Sequence, residues 1–159
     1  MSNSINRSKV KTYIVSILVP LVLGAIVGLL TSGSMEKYDG LTMPALAPPS
    51  LLFPIVWTIL YILMGISHGI LKVNRLNTQD TEIIYYAQLI VNLLWPVLFF
   101  VLAWRLLAFI WIVLLDILVI IMTVRFYRQN KTAGLLQIPY ILWVLFASYL
   151  NLAIYLLNR

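Results

Sequence analysis

The run Leu106–Arg128, LLAFIWIVLLDILVIIMTVRFYR, decides the fold. From Leu106 to Val124 it carries one charged residue, Asp116. About 20 apolar residues in a helix cross a hydrocarbon layer ~30 Å thick. Inside that layer the backbone must satisfy its own hydrogen bonds, which leaves helices and closed barrels. The run has no alternating polarity, so it reads as a helix and not as a barrel strand. Four more apolar stretches are long enough to cross, and together the spans lie at about 13–31, 52–72, 82–103, 106–126 and 134–157. The expected fold is an all-α membrane protein, a bundle of five transmembrane helices forming one domain over residues 1–159.

Composition agrees. The chain is 62% hydrophobic and 10% charged, with a mean hydropathy of +0.99, against roughly 45–50% apolar residues in a soluble domain. Basic residues fall between the apolar runs and form no stripe, so they read as topology signals and not as a nucleic-acid surface. Arg7, Lys9 and Lys11 precede the first span, Lys72 and Arg75 follow the second, and Arg125, Arg128 and Lys131 follow the fourth. Lys37, Arg105 and Arg159 fall on the other side. This bias predicts a multi-pass protein of the cell membrane with its N-terminus cytoplasmic and its C-terminus outside. With no cysteine and a single histidine, His68, no metal site is expected, since one imidazole does not make a ligand set.

Amides do not belong against acyl chains. Gln88, Asn92, Trp95 and Phe99 follow at steps of four, three and four and share one helical face. Each amide either bonds a neighbouring helix or faces a cavity. Asp116 lies about ten residues into its span, where an ionised carboxylate costs roughly 2.5–3.5 kcal/mol, so it must face inward. In the last span Pro139 is expected to kink the helix and open space beside Trp143, Phe146 and Ala147. Gly24/Gly28 and Gly65/Gly69 have the small-xxx-small spacing that allows close helix approach, either within the bundle or between subunits.

Ahead of the second span lies PALAPPSLLFPIVWTILY, residues 44–61. Pro44, Pro48 and Pro49 stiffen this loop into a preformed outer lid. Behind it Trp57 and Tyr61 share a face that continues to Met64, Gly65 and His68. Trp57 alone also fits an interfacial belt. With Asn92 and Trp143 at similar depth, these side chains converge on an aromatic, mainly apolar pocket with a few hydrogen-bonding groups, the usual chemistry of a small-molecule site.

Three blocks carry a family resemblance. Tyr38 through Pro44, Pro48-Pro49, Phe53, Val56-Trp57-Thr58, Leu60-Tyr61 and Met64-Gly65 form the first. Gln88-Leu89, Asn92, Trp95 and Phe99-Phe100 form the second, and Pro139-Tyr140, Trp143, Phe146-Ala147 and Tyr149-Leu150-Asn151 the third. The pattern resembles the translocator protein/tryptophan-rich sensory protein (TspO/MBR) family over nearly the whole chain. That resemblance implies five helices, a homodimer, and a pocket under the first loop for protoporphyrin IX, haem or similar flat apolar, lipid-like ligands, with no required cofactor. The ligand-contacting positions it implies fall on Tyr38, Trp57, Asn92 and Trp143, beside Pro44, Tyr61, Trp95, Phe146 and Ala147 from the pocket reading. Leu46 and Met43 replace a Trp and a Lys of the family pattern, and Pro96 replaces a small polar residue. A sterol pattern of the family is met by Leu150, Tyr155 and Arg159, although Tyr155 and Arg159 near a helix end equally make interfacial anchors.

Three functions compete. The first is a receptor or carrier for tetrapyrroles or similar flat ligands. The second is a light-dependent porphyrin-degrading enzyme using the indoles of Trp57 and Trp143, for which no general base or nucleophile is visible. The third is a proton-coupled transporter using Asp116, the weakest of the three because the carboxylate is isolated, without a relay, and the chain has no inverted repeat.

Overall fold

The computed structural model describes the backbone of residues 2–159 and the side chains of residues 6–34 and 40–159. Among the described residues five segments are helical, long and apolar enough to cross a membrane: Asn6–Ser34, Leu52–Val73, Gln79–Val101, Arg105–Gln129 and Lys131–Leu157. The helices are α1 (Ser2–Asp39), α2 (Leu52–Val73), α3 (Gln79–Pro96), α4 (Arg105–Gln129), α5 (Lys131–Leu135) and α6 (Ile138–Leu157), and a π-helical turn, Val97–Val101, continues α3.

Local chemistry sets the breaks. Thr78 caps α3 in a reciprocal pair with Thr81, and Asp80 and Glu82 sit in the first turn, where the helix dipole favours acids. At the other end Pro96 brings no N–H to the ladder. The chain there widens into the π turn, closed by Leu102 N–H donating to the Val97 carbonyl at 3.0 Å. That turn directs Phe99 and Phe100 into the core.

The fifth span differs from its expected form. It is two helices, not one kinked helix, and the break falls at Leu136–Gln137. Pro139 lies in the first turn of α6, where its missing N–H would have had no helical partner, so it starts a helix and kinks none. Asn130 ends α4 and caps α5 by accepting from the Ala133 N–H at 3.0 Å. A Cβ on Gly134 would overlap Tyr127, so glycine permits the tight return of α5 onto α4.

Around the bundle α1 lies between α2 and α3, α4 packs against α3 and α6, and α5 returns to α2. The α1–α2 seam is backbone-tight. A Cβ on Gly65 would strike the Ile17 backbone and come within 2.6 Å of the Ser16 carbonyl oxygen. A Cβ on Gly69 would lie 2.6 Å from the Tyr13 ring, and one on Gly24 would overlap the ring of Tyr61. Three of the four glycines in the two spaced pairs thus serve contacts inside the bundle, while Gly28 faces open space. The adjoining face of α2, which Tyr61 shares with this seam, is different. It does not pack backbone to backbone on α3 or α6 and meets them through large side chains.

Candidate ligand-binding site

Those side chains are aromatic rings and amides. Tyr61 Oη donates to Asn92 Oδ1 at 2.9 Å. Asn92 Nδ2 donates to Tyr140 Oη at 2.5 Å, and Tyr140 Oη donates in turn to Gln88 Oε1 at 2.8 Å. Gln88 Nε2 reaches the Met64 sulfur at 3.3 Å. This relay joins α2, α3 and α6, and all four polar residues are buried. Buried amides that find partners cost little, and here each has one, which explains how Gln88 and Asn92 survive in a lipid-embedded helix.

Toward the lid the arrangement changes. Trp57 packs on Tyr61 and on Tyr140, with ring centroids 5.7 and 6.1 Å away. Phe53 meets Trp143 edge-on at 5.9 Å, and Trp95 stacks on Phe99 at 5.4 Å. Phe53, Trp95, Phe99, Phe100, Ala147 and Asn151 surround a cavity of about 10 Å³, room for a single water at most. Polar atoms at this level have no hydrogen-bond partner among the described residues: Trp95 Nε1, Trp143 Nε1, and both the nitrogen and oxygen of the Asn151 amide. Leaving such a group buried and unpaired costs about 1–3 kcal/mol.

The loop covers this end. Asn158 fastens it to the last turn of α6, accepting from the Thr42 N–H at 2.9 Å and donating to the Thr42 carbonyl at 2.9 Å. Leu41, Met43 and Ala47 pack down against the core. Leu46 points outward and is 66% exposed.

The sequence-predicted residues therefore divide. Tyr61, Asn92, Trp57 and Gln88 come together in or on the relay. Trp95 and Ala147 line the small cavity. Trp143 and Phe146 pair with each other at 5.8 Å and are only half-buried. They flank the inward face of α6, which is formed by Tyr140, Val144, Ala147 and Asn151. Pro44 stays in the loop and accepts a hydrogen bond from Ala47 N–H at 3.0 Å. The side chain of Tyr38 lies outside the described residues. Asp116 does face inward, as its cost demands, but it and Gln88 have separate partners: Ser148 Oγ donates to Asp116 Oδ2 at 2.6 Å, between α4 and α6. His68 is a satisfied polar residue. Its Nε2 lies 2.9 Å from Glu82 Oε1, its ring stacks on Tyr85 at 3.8 Å, and Lys72 Nζ lies 3.6 Å from the other Glu82 oxygen.

Sequence reasoning missed Tyr140 and Asn151 as site residues. The signal was the spacing 140, 144, 147, 151, a helical face that carries one hydroxyl and one amide.

With this geometry the chain can be compared with known proteins. The sequence model of the TspO/MBR family matches residues 16–157. The chain belongs to the TspO/MBR family. It is 42% identical over 147 residues to the tryptophan-rich protein TspO of Archaeoglobus fulgidus, covering 91% of this chain and 95% of that one. The similarity to protein CrtK of Rhodobacter capsulatus is 36% over 125 residues, 76% and 78% of the two chains. A translocator protein homolog of Schizosaccharomyces pombe is 35% identical over 147 residues, 89% and 88% of the two chains. As a TspO/MBR member with five spanning helices, it is a multi-pass membrane protein.

Proposed function

We propose that this protein binds a flat, mainly apolar ring ligand of the tetrapyrrole class between α2 and the α3–α6 wall, beneath the Gly40–Leu51 lid. One observation carries the reading. On this side of α2 large rings bridge the helices, and the indole N–H of Trp95 and the Asn151 amide are buried there without partners among the described residues, around a small cavity. A ligand sliding between the rings keeps aromatic contact on both faces and gives those polar atoms an acceptor or donor. The family resemblance supplies the ligand class.

A tetrapyrrole is far larger than the cavity, so binding requires α2 and the lid to move away from α6. Parting the lid breaks the two Asn158–Thr42 bonds, at about 1 kcal/mol each. Charge bias supports a cytoplasmic N-terminus, which would put the lid outside. The homodimer implied by the resemblance belongs to the same proposal, and chemical cross-linking in native membranes tests it.

Titration of the purified protein with protoporphyrin IX, read by tryptophan fluorescence, tests the site. Saturable quenching is expected, weakened by Asn151→Leu and by Trp95→Phe. Saturable binding that neither change alters would remove the site.

A further inference from the structure

An open groove lies elsewhere. It has a volume of about 600 Å³ and runs between the start of α4 and the end of α6, on the outside of the bundle. Arg105 and Arg159 line it, with Trp104, Tyr155 and the apolar side chains Leu106, Leu107 and Ile110. The only ion pairs among the described residues both go to Glu82, in α3, so neither arginine has a carboxylate partner there.

Only three of the eleven basic residues fall at this end of the bundle, Lys37, Arg105 and Arg159, and two of them share the groove. Trp104 precedes the first turn of α4 and provides no side-chain cap, so the N–H groups of that turn add positive potential. The carbonyl end of α6 is covered: Asn158 donates from both its backbone and its side chain to the Ile154 carbonyl. Below the guanidiniums Leu106, Leu107 and Ile110 are 48, 41 and 57% exposed and continue down α4 into the depth of the membrane. Trp104 and Tyr155 stand where aromatic side chains meet headgroups.

We infer that this groove binds one anionic phospholipid of the adjoining leaflet, with the phosphate between Arg105 and Arg159 and an acyl chain along Leu106, Leu107 and Ile110. Charge complementarity selects an anion, and the apolar strip selects a lipid over free phosphate. A sterol does not explain the same residues. Leu150 of the sterol pattern is buried and lines the inner cavity, whereas Tyr155 and Arg159 line the outer groove, so the three share no surface.

Native mass spectrometry of the detergent-solubilised full chain tests this, with phosphatidylglycerol compared against phosphatidylcholine of the same chains. Wild type should retain phosphatidylglycerol preferentially. Arg105→Ala with Arg159→Ala should weaken that binding about thirty-fold, the effect of ~1 kcal/mol per basic residue at an anionic lipid surface, and the double lysine variant should restore most of it. Arg7→Ala with Lys11→Ala, at the other end of α1, should leave it unchanged. If the alanine pair does not fold, the double glutamine variant gives the same reading. Undiminished selectivity in a folded Arg105/Arg159 variant would overturn the inference. So would its loss in the Arg7/Lys11 variant, or displacement of the lipid by inorganic phosphate alone.

Discussion

Two adjoining faces of α2 are built on different principles. Toward α1 the helices meet at glycines, and backbone touches backbone at Gly65. Toward α3 and α6 the contact is made by rings and amides, and four residues of those two helices keep buried polar atoms without partners among the described residues, Tyr85, Trp95, Trp143 and Asn151. A backbone contact has one geometry and cannot yield without breaking the helix, whereas layered rings can slide and re-stack. In the proposed binding mode the first face is the fixed post and the second is the one that opens.

Gly65→Leu should break the comparison most severely. Its branched side chain has no room over Ser16 and Ile17, and overpacking costs about 3 kcal/mol or more. The expected result is a thermal midpoint lower by about 10 °C in detergent, followed by circular dichroism. An unchanged midpoint would mean that the seam is not tight. Next comes Tyr140→Phe, which removes the hydroxyl that links Asn92 to Gln88. Two buried amide groups lose a partner, and a destabilisation of about 2 kcal/mol should follow.

Asn151→Leu carries the opposite sign. It takes an unpaired amide out of apolar surroundings, so the protein should gain about 1 kcal/mol while ring-ligand affinity falls. Loss of both stability and affinity would show that Asn151 is structural. The smallest effect belongs to Gly28→Ala, which meets open space and should shift stability by less than about 0.5 kcal/mol.

The five spans and the 88/92/95 face were legible because lipid permits few backbone solutions and penalises amides that lack partners. Tyr140 was not, since one hydroxyl in a helix rich in aromatic residues looks like an interfacial belt until its depth is known. Asn151 was hidden in the same way, inside a motif whose face only the structure assigns. Pro139 was misplaced because proline means a kink in a helix interior and a start in a first turn, and nothing at Leu136–Gln137 announces a break. The glycine pairs were visible, yet their spacing fits a neighbour in the same chain as well as one in another.

The proposed entry can be locked. The chain has no cysteine, and the Thr42 backbone hydrogen-bonds the Asn158 side chain, so Thr42→Cys with Asn158→Cys can be joined by a short thiol cross-linker. The fully cross-linked protein should take up no protoporphyrin IX, and uptake should return when the linker is cleaved. Equal uptake by the locked and open forms would contradict entry beneath the lid.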